Sequence, residues 1–203
     1  MRKIKFTNGE YYHIFNRGVD KREVFLNEGD NLRFLNYIKE ILDFEAKPFS
    51  RRLSLKGAVE LISYCLNPNH FHFILRQVKV GGISNFMHLL ATSYTMFFNA
   101  KYQRSGSLFQ GPFKAVKIDS NEHLLWVSAY VNANAQIHGL TNDAANYKWC
   151  SYPEYLGFSA ENFCQHKDII IKQFKDKEQF ESFMHDCIIT MKEKKELQKY
   201  LVD

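Results

Sequence analysis

Apolar residues along this chain recur at spacings that predict an ordered series of strands and helices. The run Tyr-Tyr-His-Ile-Phe-Asn at 11–16 predicts a first strand. Steps of three and four residues then predict a helix that Asp30 or Asn31 caps and that stops before Pro48. Its apolar stripe is expected to contain Leu32, Leu35, Ile38, Ile41 and Leu42.

Two further strands are predicted at 59–66 and 70–77, and the turn residues Asn67-Pro68-Asn69 join them into an antiparallel hairpin. A long helix capped by Ser84 should follow and run through Tyr102. Its expected inner side consists of Phe86, Leu89, Leu90, Ser93, Phe97 and Ala100.

The remaining elements are an extended segment at 108–118, bent at Gly111-Pro112, and a helix from Asp119 or Ser120 to about Gly139. The order strand, helix, strand, strand, helix, strand, helix favours an α+β fold. It is typical of a ferredoxin-like or RRM-like antiparallel sheet with helices on one face. We expect one domain at 1–158 and a C-terminal helical extension at 159–203.

Charge is unevenly distributed along the chain. The formal net charge is +5, yet residues 166–203 hold eight lysines and eight acidic residues, so the whole excess lies in 1–165. A polyanionic partner is favoured there. Lys192–Lys199 alternates with Glu193 and Glu196 and is interpreted as a solvated helix face.

The cysteines argue against a secreted or zinc-ribbon protein. Cys65, Cys150, Cys164 and Cys187 are far apart and form no Cys-x-x-Cys pair, so reduced buried thiols are expected. No long apolar run follows the charged N-terminus, and about 18 uncharged apolar residues occur together nowhere. A soluble cytoplasmic protein without a membrane partner is therefore predicted.

His70 and His72 are the first candidates for chemistry. Strand residues i and i+2 face the same side about 6.6 Å apart, so both imidazoles can converge on one ion while Phe71 and Phe73 enter the core. Ordinary strand histidines are the alternative. A structural zinc site requires four N or S ligands, and the cysteines are poorly placed to provide them. An open site with an oxygen ligand is therefore favoured.

Tyr130 and Asn134 are four positions apart on the last predicted helix and should share a face. Asn134 could reach a metal while Tyr130 attacks a phosphodiester that the metal holds. Tyr94 and Tyr102 are the nearest rivals, but Phe98 and Gly106 stand four positions after them. The alternative interpretations are a packing role for Tyr130 and a capping role for Asn134.

Five segments together resemble the single-tyrosine HUH transposase superfamily, and most closely its REP-associated tyrosine transposase branch. They are YYHIFNRGVDKREVF, SYCLNPNHFHFILR, RSGSLFQGPFKAVKID, LLWVSAYVNANAQIHGL and YKWCSYPEYLG, in that order within residues 9–158.

The resemblance implies a metal-dependent enzyme that binds single-stranded DNA near a hairpin and cleaves one strand with Mg²⁺ or Mn²⁺. The family's metal histidines fall on His70 and His72, its nucleophile on Tyr130 and its polar ligand on Asn134. A 5′-phosphotyrosine and a free 3′-hydroxyl would result, and strand transfer would reverse the step without a nucleotide cofactor. Whether a monomer acts alone or a homodimer exchanges tyrosine helices is left open.

The chain departs from the family pattern at three places. Asn67 stands where the family usually has Met, and residues 135–139 read Ala-Gln-Ile-His-Gly in place of Pro-Val-Arg-Ala-Gly. Pro112 replaces an arginine that is common after Gln-Gly. The last two changes remove positive charge that could touch phosphate.

Basic residues near the motifs are candidates for phosphate contacts, with a solvated surface as the alternative. They are Arg17, Lys21, Arg22, Arg104, Lys114 and Lys117. Aromatic residues interleaved with them could stack on bases or fill the core. These are Tyr12, Phe15, Phe109 and Phe113.

Three functions compete at this level. The favoured one is a DNA-nicking and strand-transferring transposase. The second is a domesticated module that binds structured single-stranded DNA or RNA without cutting it. The third is a metal-dependent hydrolase that uses water in place of tyrosine.

Overall fold

A four-stranded antiparallel sheet forms the centre of the molecule, in the order β2-β3-β1-β4. The computed structural model describes residues 4–42 and 55–200, with the side chains of 196–200 excepted. The strands are β1 (Tyr11–Arg17), β2 (Val59–Asn67), β3 (His70–Gln77) and β4 (Lys114–Ile118). The predicted hairpin is therefore present, and Asn67 ends its first strand instead of beginning the turn.

The register of the strands decides which side chains share a face. Phe15 on β1 lies opposite His72 on β3 and opposite Lys114 on β4. Cys65 on β2 lies opposite His72 from the other side. Because side chains alternate along each strand, these residues share one face, and Phe71 and Phe73 belong to the other.

Two helices cover the phenylalanine face: α1 (Glu28–Leu42) and α2 (Gly82–Lys101). The Phe34 ring of α1 lies 5.4 Å from that of Phe71, and the Phe86 ring of α2 lies 6.4 Å from that of Phe73, measured between centroids. Both phenylalanines of β3 are buried. This layer is the one that the sequence predicted.

Some details of these helices differ from the prediction. α1 begins at Glu28, and Asp30 is buried within its first turn, where its carboxylate accepts hydrogen bonds from Lys101 and Tyr102 of the α2 end. Leu32 is 52% exposed and lies outside the apolar stripe. The Gly81 backbone (φ 75°) precedes α2, so Ser84 is not its cap. The expected end of α1 before Pro48 lies outside the described residues.

The opposite face of the sheet also carries helices, whereas the sequence predicted helices on one face only. α3 (Asn121–Asn132) and α4 (Asn134–Ile137) pack on β2, and α3 also packs on β3. Three later helices follow them in the chain: α5 (Tyr152–Tyr155), α6 (Asp168–Ile171) and α7 (Lys177–Tyr200). The α+β class and the antiparallel sheet are confirmed. The expectation that helices cover one face holds for α1 and α2, but α3 and α4 cover the other face.

The helix predicted from Ser120 to Gly139 is broken once. Ser120 caps α3, since its hydroxyl accepts from the His123 amide, and Gly139 has the expected left-handed backbone (φ 74°). Ala133, with φ −99° and ψ 5°, separates α3 from α4. Asn134 therefore belongs to a short helix of its own.

α7 packs on α3 and α4, and the Lys195 ammonium donates to the Ile137 carbonyl at 2.9 Å. The division at residue 158 remains a prediction. The four cysteines are free and buried, as expected. Within the described ranges, no helix has the length and apolar character needed to span a membrane.

Candidate active site

Two histidines of β3 begin the site. His70 and His72 face the same side of the sheet, with ring centroids 5.1 Å apart and ring planes at 85°. His72 is 6% exposed, whereas His70 is half-buried at the strand end. The alternation that the sequence predicted therefore holds at both positions.

Tyr130 reaches the histidines from the last turn of α3. Its ring lies 5.5 Å from the His72 ring and is nearly perpendicular to it. The side chain is half-buried, and Asn134 behind it is fully buried. The structure thus brings His70, His72, Tyr130 and Asn134 together within one chain, despite the break at Ala133.

Two asparagines of the hairpin hold the His70 imidazole. Asn69 Oδ1 lies 2.5 Å from Nδ1, and Asn67 Nδ2 lies 2.9 Å from Nε2. Because an amide oxygen only accepts and an amide nitrogen only donates, the proton belongs on Nδ1 and the lone pair on Nε2. Asn67 Nδ2 also donates to Asn134 Oδ1 at 2.5 Å.

His13 on β1 is a member of this cluster that the sequence analysis missed. Its Nε2 lies 2.9 Å from His72 Nδ1, and the two rings stack at 5.1 Å. The contact spans 59 residues, so only the register of β1 against β3 could have revealed it. His138, exposed after α4, was also missed, and its ring lies 6.1 Å from that of His70.

Burial keeps these imidazoles neutral. It lowers the pKa of His13 to about 4 and that of His70 to about 4, and it holds the pKa of His72 well below its ordinary value. Nearby positive charge on Arg17 lowers the pKa of His70 and His72 further. Neutral imidazoles are the form that binds metal ions.

The phenol of Tyr130 is protonated at neutral pH. Burial raises its pKa, while the Asn134 amide and the Arg17 charge oppose that increase. Asn134 Nδ2 forms no hydrogen bond with any described residue, although it is buried. An unsatisfied buried donor beside the phenol favours a negatively charged oxygen there.

The donor set fits a divalent cation only in part. Among the described residues, no group of three or more His, Cys, Asp or Glu side chains could hold a metal ion. The neutral ligands present are the His70 and His72 imidazoles and the Asn134 amide oxygen, which suit an ion whose remaining positions are filled by water or phosphate.

The basic candidates divide between several surfaces. Arg17 is exposed directly beside His70, and Lys114 is exposed on the same face, opposite Phe15. Lys21 and Arg22 are exposed just after β1, where the Lys21 carbonyl accepts a hydrogen bond from Asn69 at 3.0 Å.

The other two basic candidates lie elsewhere. Lys117 is on the Tyr12 face of the sheet, paired with Glu10 at 3.1 Å. Arg104 lies beyond α2 and donates to Asn99 at 3.0 Å. The aromatic candidates Tyr12 and Phe109 are buried in the core. Phe15 and Phe113 are half-buried, and Phe15 stacks on His72 with centroids 5.7 Å apart.

The site combines two histidines of an antiparallel sheet with a tyrosine at the end of a helix, within the α+β class of fold that the sequence predicted. Residues 7–134 match the family model described as IS200-like transposase, which covers more than half of the chain. The protein belongs to the IS200-like transposase family. The resemblance predicted from the sequence is confirmed at this level.

A solved structure with a TM-score above 0.5 shares the fold at low identity. A REP-associated tyrosine transposase bound to a REP hairpin is 11% identical, with a TM-score of 0.58 over 81% of this chain and 89% of the other. A putative transposase from Deinococcus radiodurans is 15% identical, with a TM-score of 0.40 over 64% and 95% of the two chains. No curated protein matches the chain.

Proposed function

We propose that this protein is a metal-dependent transposase that cleaves and rejoins single-stranded DNA at hairpin-forming repeats. Tyr130 is the nucleophile, and His70, His72 and Asn134 hold Mg²⁺ or Mn²⁺. One observation carries the proposal: the phenol, both imidazoles and the Asn134 amide meet on one face of the sheet in a single chain. Membership of the IS200-like family supports it.

The divalent cation would bind a phosphate oxygen and stabilise the charge that develops at phosphorus. Tyr130 supplies the attacking oxygen: its bond to phosphorus forms as the bond from phosphorus to the 3′-oxygen breaks. The phenol proton passes to solvent or a base, and the leaving oxygen takes a proton to become a 3′-hydroxyl. The products are a 5′-phosphotyrosine and a free 3′-end, and attack by a 3′-hydroxyl reverses the step.

Two residues of this chain offset part of the cost of forming the phenolate that the attack requires. The pKa of Tyr130 is raised by burial, so proton removal is a demanding part of the reaction. The Asn134 amide and the Arg17 charge act against that cost, because both lower the pKa of the phenol. Neither residue takes the proton.

A hairpin substrate fits the part of the site face that α3 leaves open. β1 and β4 carry Arg17 and Lys114 on this face, which suit phosphates, and Phe15 lies next to both of them as a stacking surface. The structurally similar REP-associated transposase was solved with a REP hairpin. A single-stranded segment beside a hairpin is the substrate class that we infer.

Incubation with Mn²⁺ and a labelled hairpin oligonucleotide tests the proposal. We expect a denaturation-resistant protein–DNA adduct that Tyr130→Phe abolishes. Tyr11→Phe is the matched control, since Tyr11 lies on the same face at the far end of β1, and it should leave the adduct unchanged.

Two results would overturn the proposal. Cleavage that survives Tyr130→Phe would indicate a hydrolase that uses water. Tight hairpin binding without cleavage, by a protein that binds Mn²⁺, would indicate a module that only holds structured nucleic acid.

A further inference from the structure

Asn67 places an amide nitrogen at the point where two proposed ligand atoms converge. Its side chain is 1% exposed at the end of β2. Nδ2 donates to His70 Nε2 at 2.9 Å and to Asn134 Oδ1 at 2.5 Å. Each proton of this NH₂ group is therefore directed at a lone pair that the proposed function assigns to a cation.

The orientation of the Asn67 amide is fixed by its surroundings. The Cys65 thiol donates to Asn67 Oδ1 at 3.5 Å, which leaves the NH₂ group facing the site. A rotated amide would direct its oxygen at His70 Nε2 and Asn134 Oδ1, and both of those atoms are acceptors. The observed orientation satisfies all three neighbours.

We propose that Asn67 is a gate for the cation: its amide nitrogen competes with a divalent ion for the lone pairs of His70 and Asn134. The inference rests on the proposed function, because that function assigns these two residues to the metal. Cation binding then requires both Asn67 hydrogen bonds to break. The gate weakens cation binding and stabilises the cation-free protein.

Mn²⁺ affinity measured without DNA, by electron paramagnetic resonance of the free ion, tests the gate. Asn67→Leu has nearly the same shape but cannot donate, and Asn67→Ala is a smaller second variant. We expect Mn²⁺ binding to become roughly tenfold tighter in both, the effect of about two lost competing hydrogen bonds. The rise in melting temperature on adding Mn²⁺ should also be larger than in the unmodified protein.

Asn16→Leu is the matched control. Asn16 is also a buried strand asparagine, but it lies on the phenylalanine face and donates to the Gly111 carbonyl at 3.2 Å. Its replacement should lower the melting temperature without changing Mn²⁺ affinity. A destabilised sheet alone therefore cannot imitate the gate.

Unchanged or weaker Mn²⁺ binding in both Asn67 variants would overturn the gate, and weaker binding would make Asn67 a ligand. The two proposals fail separately. If the unmodified protein forms the adduct and the Asn67 variants bind Mn²⁺ with the same affinity as it does, only the gate is contradicted. If the Asn67 variants bind Mn²⁺ more tightly but the unmodified protein forms no adduct, only the proposed function is contradicted.

Discussion

The two faces of the sheet use the same strands for opposite purposes. On one face, Phe71 and Phe73 of β3 are buried against Phe34 and Phe86, and ring packing accounts for their positions. On the other, the intervening histidines are held by hydrogen bonds with other polar side chains. Because side chains alternate along β3, adjacent residues contribute to a packed core on one face and to the candidate site on the other.

Burial has a different cost on each face. Removing an aromatic ring from water is favourable without further partners. A buried imidazole or amide must find a donor or acceptor, or it becomes destabilising. The site face meets this requirement with pairs such as His13 with His72, and it leaves Asn134 Nδ2 unpaired.

The largest expected effect is on the phenylalanine face. Phe73→Ala should lower the free energy of unfolding by about 3–5 kcal/mol, because a fully buried ring leaves a cavity. Urea denaturation measures it. Val116→Ala, at a 45% exposed position on the site face, is the control and should cost about 0.5 kcal/mol or less. Equal losses would contradict the division between the faces.

The second prediction concerns pH and the site face. Burial sets the pKa of His13 and of His70 at about 4, below the value near 6.5 in the unfolded chain. Between these values the unfolded state binds more protons, so stability is full above pH 6.5 and is lost as the pH falls towards 4. We expect a loss of roughly 1–3 kcal/mol in urea denaturation with EDTA present.

His13→Gln should reduce this slope, because one of the buried imidazoles with a lowered pKa is gone. Stability that stays constant between pH 6.5 and 4 in the unmodified protein would contradict the burial of neutral histidines.

The third prediction tests His13 as a positioning residue. His72 can offer Nε2 to a cation only if its proton is on Nδ1, and His13 Nε2 then accepts that proton at 2.9 Å. His13→Phe should weaken Mn²⁺ binding roughly tenfold. His13→Gln retains an acceptor and should weaken it less.

Nitrogen chemical shifts of His72 give a second measurement, since the share of the Nδ1–H form should fall in His13→Phe. Equal Mn²⁺ affinities in the two variants would show that His13 only fills space.

The smallest expected effect separates basic residues by face. Arg17→Gln should weaken hairpin binding and reduce the slope of log affinity against log salt by about one, the effect of one phosphate contact. Lys117→Gln, on the opposite face and paired with Glu10, should change neither. A larger effect of Lys117→Gln than of Arg17→Gln would indicate that DNA binds the other face of the sheet.

Local patterns were sufficient for most of the fold. The hairpin, the alternation of His70 and Phe71, a helix start at Asp119 or Ser120 and the left-handed Gly139 were all predicted from neighbouring residues. The errors were also local. Leu32 fits the apolar stripe by spacing, yet it is 52% exposed within the part of the chain that the structure describes.

Contacts between residues far apart in the chain could not be predicted from the sequence. The pairing of His13 with His72 depends on strand register, and the packing of α3 on the histidine face depends on how the chain crosses the sheet. Asn is a residue type common in turns, but β2 extends to Asn67, which is buried between His70 and Asn134. Its contacts with the site became visible only in three dimensions.

Tyr130 and the histidines of β3 belong to the same polypeptide, so every molecule contains a complete set of the proposed reacting groups. In a mixture of intact and Tyr130-defective copies, the yield of adduct should follow the intact fraction in direct proportion. Such proportionality would indicate that Tyr130 acts with the histidines of its own chain.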